Sequence, residues 1–388
     1  MFVFSILFTR KGHKKELFFI IKKQQLMKEL KSSIGVDISK DTFHVCVKQC
    51  VNERVVIKGS HSFENSHQGF SAFLQWSLSK SPTATFVMEA TGVYHEELAH
   101  FLHSKGKNVS VVLANKIKHF SKSMNVKTKT DKADAAVIAQ YGLERQQQLW
   151  QPMIPQLKNL RDLCRERLSI KNDLSRCKCQ HHSLNHAHGT LDFVLQMKNK
   201  QIEFMEQGIK AIEAEIERIT FEDKNFSEQV QKIETIKGVG FFTIVTILCE
   251  TNGFALFNNI RQVVSYAGLD VSERQSGLFK GKSRISKKGN ARIRQCLYMP
   301  AVSATTHNEH VRALYLRIVE RNPKIKRKGV VAGMRKLLIL IFVLWKKNET
   351  YNSSHPWNTK GEMLKEMTVN DISDICQKIK EIETEEAK

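Results

Sequence analysis

The chain has 388 residues, with 61 Lys and Arg against 39 Asp and Glu, for a formal net charge of +22. Its 41% hydrophobic fraction excludes general disorder, and its length allows two or three separate cores. So large a cationic excess predicts a polyanionic partner and salt-sensitive binding, with nucleic acid ahead of an anionic membrane surface. The eight cysteines form no regular framework, which fits a reducing intracellular compartment. Residues 1–8 are apolar and precede Arg10, Lys11, Lys14 and Lys15, the reverse of a secretory signal. The longest apolar run, residues 337–345, is too short to span a bilayer. A soluble, cytoplasmic protein is expected.

Residues 1–31 read as a dispensable extension, with Met27 a second candidate translation start. From Ser33 the texture becomes that of an α/β domain over residues 32–150. Residues 34–38 read as a buried strand and 42–47 as its hairpin partner, joined by Ser39-Lys40-Asp41. A third strand is expected over 53–59, a helix over 64–78 and a strand over 85–88. A helix after Gly92, a strand over 109–113 and short helices through Gly142 complete the domain. Three strands followed by alternating helix and strand is the order of a ribonuclease-H-like domain.

Pro152 and Pro155 mark a boundary. Leu160, Leu163, Arg167, Ile170, Leu174 and Cys177, then Ile202, Met205, Ile209, Ile212, Ile216 and Ile219, recur at spacings of three and four around the His188-Gly189-Thr190 break. That pattern predicts an antiparallel coiled-coil hairpin over 151–230, either a spacer or a surface for another copy. Cys177, Cys179, His181, His182, His186 and His188 lack zinc-finger spacing and read as helix filler. A mainly helical domain is expected over 231–346. It opens with Gly238-Val239-Gly240, which is open to two readings, a helix-hairpin-helix phosphate contact or a tight helix connection. Residues 257–268, 292–304 and 330–345 read as helices, and 347–388 as a tail with an acidic, solvated end.

Four acids stand out by position. Asp37 interrupts an apolar strand, where a charge is costly unless paired or bound to a cation. Glu89 ends the 85–88 strand, at the sheet edge where α/β proteins place their sites. Asp131 and Asp134, three apart, share one helix face. Such acids could converge on hard divalent cations that stabilise both oxygens of a phosphoryl displacement. Asp41 reads as a turn residue. Lys116, Lys118, Lys122, Lys127, Lys129 and Lys132 lie beside the acids, with Lys40 after the first strand, and could guide a nucleic-acid backbone.

A second cluster is Ser276-Gly277 followed by Lys280, Lys282, Arg284, Lys287 and Lys288, with Arg292 just beyond. Glycine admits close backbone approach and the cations offer a phosphate bed. By itself Ser276 reads as a loop hydroxyl touching a phosphate. Ser286 reads as a phosphate contact or helix cap.

Taken together, these residues resemble the DEDD transposases of bacterial insertion sequences, a group of bridge-RNA-guided recombinases. The stretches that carry the resemblance are residues 34–40, 88–92, 128–135, 236–240, 266–269, 276–277 and 285–290, in the family's order. Leu278 stands where a small residue is expected, Gly333 where a helix former is usual, and residues 1–26 have no counterpart. The resemblance implies a RuvC-like domain in which Asp37, Glu89, Asp131 and Asp134 bind Mg2+ or Mn2+, and a C-terminal domain in which Ser276 is the nucleophile. It further implies donor and target DNA, a structured guide RNA, a homo-oligomer (dimer or tetramer) and a bacterial cytoplasmic, nucleoid-associated location. The leading alternative is a metal-only RuvC-like nuclease or Holliday-junction resolvase with water as attacker. Behind it stand a non-catalytic nucleic-acid-binding protein and an actin-like ATPase, the last lacking a later Asp-x-Gly phosphate loop.

Overall fold

The computed structural model describes residues 31–354, apart from Asn52, Glu53, Thr91, Thr128, Lys129, Gln146, Arg274, Leu278 and Lys282. The expectations for residues 1–30, the acidic tail, Lys129, Leu278 and Lys282 therefore lie outside the described residues. Two compact units adjoin at the Pro152–Met153 bond.

The first unit is built on a five-stranded sheet of order β3-β2-β1-β4-β5. β1 (Ser32–Ile38), β2 (Thr42–Val51) and β3 (Arg54–Glu64) form an antiparallel meander. β4 (Thr85–Glu89) pairs parallel to β1, and β5 (Val109–Val112) parallel to β4. The helix α1 (His67–Lys80) leads into β4, and α2 (Glu96–Ser104) supplies the crossover to β5. α3 (Ala114–Ser123) and α4 (Asp131–Glu144) follow. Strands covered on both faces should be apolar on both, and Ile34, Val36, Val45, Phe86, Val87 and Met88 are all fully or almost fully buried. One face packs an aromatic group of Phe43, Phe63, Phe70, Phe73 and Phe86 beneath α1. The other face lies under α3 and α4, through Val87, Val112, Ile117, Phe120 and Ile138.

β3 runs past the expected end at Gly59 to Glu64, because its pairing with β2 resumes beyond a bulge at Val47/Lys48. α1 starts later than expected. Ser66 caps it, its side chain accepting from the Gly69 amide at 3.2 Å.

The second unit is helical. α5 (Pro155–His186) and α6 (Asp192–Glu222) run antiparallel, with Arg167 meeting Glu213 and Lys178 meeting Glu206. Cys177 on α5 is buried and Cys179 exposed, so the two sulfurs face different environments. Next come α7 (Lys224–Glu234), α8 (Phe241–Glu250) and α9 (Ile260–Tyr266). α9 is shorter than expected because Asn259 caps it, accepting from the Gln262 amide at 3.0 Å. Four two-residue strands follow: β6 (Val271–Ser272), β7 (Gln275–Ser276), β8 (Phe279–Lys280) and β9 (Arg284–Ile285). α10 (Ala291–His307), α11 (Glu309–Arg321), a 3-10 turn (Pro323–Ile325) and α12 (Arg327–Lys347) close the unit.

One core joins the base of the α5–α6 pair to the bundle, through Leu160, Ile216, Ile233, Ile244, Leu297 and Leu338. Gly333 on α12 is buried, and a Cβ there would lie 3.2 Å from a Val311 methyl of α11, which would have to yield by a few tenths of an ångström to admit it. No helix among the described residues is long and apolar enough to cross a membrane.

Candidate functional site

Asp37 sits near the end of β1, half-buried, opposite His44 of β2. On its other side the parallel register pairs Val36 with Met88, so the next residue along, Glu89, stands beside Asp37. α4 begins at Asp131 because Thr130 caps it, its hydroxyl accepting from the Ala133 amide at 3.2 Å. Its first turn carries both Asp131 and Asp134. Asp131 lies 3.6 Å from the His44 Nδ1.

What lets α4 reach the sheet is Gly35. A Cβ there would fall 2.2 Å from both the Ala135 carbonyl oxygen and the Ala139 amide nitrogen, so only glycine lets the helix backbone lie against the strand. The acids are thereby drawn into mutual range. Burial pushes the Asp37 carboxyl up to about 6, and the negative charges of Asp134, Asp131 and Glu89 push the same way, with His44 opposing them. A carboxylate whose charge is resisted by three neighbours favours a bound cation, and oxygen donors suit a hard divalent ion. The chemistry of the set fits such an ion, although among the described residues no three His, Cys, Asp or Glu side chains lie close enough to share one.

The loops around these acids are built structure. Asn65 donates through Nδ2 to the carbonyls of Ser39 (3.1 Å), Lys40 (3.3 Å) and Tyr94 (3.3 Å), tying the β1–β2 turn to the segment after β4. Asp41 is an exposed bend residue in that turn. Lys40, Lys127 and Lys132 are exposed. His44 is the residue near the acids that sequence reasoning missed. The hairpin over 34–38 and 42–47 already sets it opposite Asp37.

In the second unit, Ser276 and Phe279 pair across the turn of a small β7–β8 hairpin, with Gly277 in the left-handed region at φ +55°. A non-glycine residue is strained there. Ser276 is exposed, and Phe279 is 64% exposed. Lys280 pairs through its backbone with Gln275.

Below the hairpin, β6 and β9 pair. Ser286 donates to the Asp270 carboxylate at 2.5 Å, and its amide to the Asp270 carbonyl at 2.8 Å. Lys287 takes a positive φ of 54°. A cavity of about 670 Å³ opens here, lined by Asp270, Phe279, Arg284, Ser286 and Lys288 among others.

The loop is anchored on Glu250, whose side chain is buried at the end of α8. Arg165 grips it with Nε at 2.7 Å and Nη2 at 3.0 Å, and Asn290 donates to it at 2.7 Å. Burial pushes the Glu250 carboxyl up, but the hydrogen bonds from Arg165 and Asn290 outweigh it and leave the group below its ordinary value. Arg292, the second residue of α10, donates its amide to the Asn290 Oδ1 at 2.9 Å. Gly238 and Gly240 stand apart from this loop in sequence, in the α7–α8 turn. A Cβ on Gly238 would lie 2.9 Å from the Ala304 backbone, whereas Gly240 at the start of α8 faces open space. The close approach at Gly238 packs the α7–α8 turn against α10.

Comparison with known proteins defines the class. Over 332 residues, covering 83% of this chain and 98% of the relative, the chain is 28% identical to the pilin gene-inverting protein of Moraxella bovis. Its counterpart in Moraxella lacunata matches to the same extent. The chain is also 23% identical over 365 residues to the transposase for insertion sequence element IS1111A of Coxiella burnetii, covering 85% of this chain and 93% of that one. It is a DNA transposase or recombinase. A family model for DEDD transposases of the IS110 type matches residues 34–186, and one described as the transposase IS116/IS110/IS902 family matches residues 230–316. The chain belongs to the IS110-type DEDD transposases.

Proposed function

We propose that the protein cuts and rejoins DNA strands at the ends of an insertion sequence, with Asp37, Glu89, Asp131 and Asp134 as the acids of the catalytic centre and Ser276 as the nucleophile. The observation that carries the reading is the gathering of three acids, Glu89, Asp131 and Asp134, around Asp37, whose carboxyl rises to about 6 under burial and their charges. Mg2+ or Mn2+ held by their oxygens would supply positive charge at the scissile phosphate. The sheet order supports a RuvC-like fold for residues 32–150, and the paired long helices support a coiled-coil spacer over 151–230. On the same reading, residues 231–346 form the C-terminal transposase domain.

The rest of the mechanism belongs to the chain's own side chains. Ser276 Oγ forms a bond to phosphorus as the bond from phosphorus to one deoxyribose oxygen breaks; the serine proton passes to water and the freed oxygen takes one up. The phosphoserine link retains a phosphodiester, so a second hydroxyl can displace the serine and rejoin strands without nucleotide hydrolysis. Lys280, Lys282, Arg284, Lys287, Lys288 and Arg292 hold the flanking backbone by charge. Lys40, Lys127, Lys129 and Lys132 do so beside the acids, and the Gly238 and Gly240 amides serve as further phosphate contacts. A structured element-encoded RNA pairs with donor and target DNA and so selects the sites. The working form is a homo-oligomer, in which acids and serine come from different copies, in the bacterial cytoplasm at the nucleoid.

The test is denaturing electrophoresis of the protein incubated with Mg2+, element-end duplexes and the transcribed flanking RNA. A covalent protein–DNA adduct is expected that is lost in both Ser276→Ala and Asp37→Asn. Cleavage that persists without adduct in Ser276→Ala makes water the attacker and the protein a metal-only nuclease.

A further inference from the structure

We propose that the corner joining α11 to α12 is a second DNA-binding surface, one that grips duplex backbone away from the reacting phosphate. Residues 317–328 hold six cations (Arg317, Arg321, Lys324, Lys326, Arg327 and Lys328) against a single acid, Glu320. Arg317, Arg321, Lys324, Arg327 and Lys328 are exposed. None of these five makes an ion pair with a described residue.

Cations on the α5–α6 pair are employed differently. There Lys158 pairs with Asp162, Arg167 and Lys171 with Glu213, Lys178 with Glu206, and Arg218 with Glu215 and Glu222. Those cations are neutralised by acids of the same helix pair, whereas Arg317, Arg321, Lys324, Arg327 and Lys328 face outward.

Local stability does not account for the arrangement. A helix N-terminus carries partial positive charge and favours acids, yet the first turn of α12 has none and starts on Arg327 and Lys328. Like charges crowded there repel, and a polyanion offsets that cost.

The corner is also rigid enough to present its charges in a fixed array. Lys328 donates to the Asn322 side chain at 2.8 Å, and Asn322 in turn donates to the Ile318 carbonyl at 3.1 Å. A Cβ on Gly329 would meet the Tyr315 ring at 2.6 Å, so α12 lies tight against α11. Arg317 and Arg321, four residues apart, project from one face of α11, and Lys324 follows across the 3-10 turn. Point charges on a fixed ridge suit the repeated phosphates of a duplex, which is the substrate of a transposase.

This inference stands on family membership and on the charges themselves, independently of the role given to Ser276. The experiment is fluorescence anisotropy with labelled duplex DNA of arbitrary sequence, titrated across salt concentrations. In R321Q/K324Q/R327Q/K328Q the slope of log affinity against log salt should fall by about 2 to 4, near 0.9 for each phosphate no longer neutralised. The charge-preserving R321K/K324R/R327K/K328R should keep the wild-type slope. K58Q/K105Q/K200Q/K210Q removes as much charge from other exposed or turn positions and should change the slope by less than about 1. The proposal is overturned if the first variant keeps its slope, if the control variant loses as much, or if only binding to a single-stranded RNA of equal length is weakened.

Discussion

Asn290 joins two structures with one side chain: its Nδ2 donates to the buried Glu250 at 2.7 Å, while its Oδ1 caps α10 through the amides of Arg292 (2.9 Å) and Ile293 (3.3 Å). The carboxamide supplies donor and acceptor at once, which neither Asp nor Ala can do. Asn290→Ala should lose the cap, about 1 kcal/mol, and leave Glu250 one donor short, about 1.5–3 kcal/mol more. Urea unfolding should show the sum. Asn290→Asp should keep the cap but set a second negative charge against Glu250, and should recover less than half of the loss. Full recovery by Asp would mean that only the cap matters.

The Arg165–Glu250 pair carries a pH signature. Glu250 titrates below its ordinary value of 4.5 in the folded protein, because the Arg165 and Asn290 hydrogen bonds outweigh its burial. The folded state therefore holds its proton less tightly than the unfolded chain. The stability this contributes is complete above pH 4.5 and is lost as pH falls through the lower folded value. Unfolding free energy measured from pH 6 to pH 3, a range about the unfolded glutamate value, should fall more steeply in the wild type than in Glu250→Gln. Equal slopes would remove Glu250 from the account of acid sensitivity.

Gly35 lets α4 lie against the sheet and so sets where two of the acids stand, which separates packing from positioning. Gly35→Ala must move α4 outward, since its Cβ would stand 2.2 Å from two backbone atoms of that helix. Overpacking of this kind costs about 1–3 kcal/mol. Strand transfer, assayed where the variant is still folded by circular dichroism, should fall by at least about tenfold, because Asp131 and Asp134 ride on the displaced helix. If activity tracks only the folded fraction, the glycine is a packing residue and nothing more.

Several elements were legible because their determinants are local. The runs of β1, β4 and β5 are largely apolar, and a hairpin turn separates β1 from β2, so the sheet and the edge position of Glu89 follow from short windows. Asp37, by contrast, reads as interrupting its strand, whereas it lies one residue from the end of β1. The sequence pattern ends β3 at Gly59, because glycine reads as a strand end. Here it leaves room for the Trp76 ring, 3.1 Å from where its Cβ would be. α11 has no local start signal in the sequence: it depends on Asn308, buried and capping at 3.2 Å, which looks like any polar residue in a helical stretch. The Arg165–Glu250 link joins positions 85 residues apart, and heptad spacing says nothing about which arginine of α5 turns inward. The four short strands around Ser276 escaped for the opposite reason: two residues are too few to show any period.

A matched pair of cap deletions gives the cleanest separation of stability from function. Thr130 caps α4 by accepting from the Ala133 amide, and Ser66 caps α1 by accepting from the Gly69 amide, each at 3.2 Å. Losing either hydroxyl costs about 1 kcal/mol, so Thr130→Ala and Ser66→Ala should lower unfolding free energy alike. Their consequences diverge because of what the first turn of each helix carries: Asp131 and Asp134 on α4, no acid on α1. Fraying the first turn of α4 loosens two of the four acids directly, whereas the first turn of α1 carries none of them. Thr130→Ala should therefore reduce strand transfer by about tenfold beyond Ser66→Ala at equal folded fraction, a barrier difference of about 1.4 kcal/mol. Equal activities in the two variants would show that Asp131 and Asp134 need no fixed helix start to act.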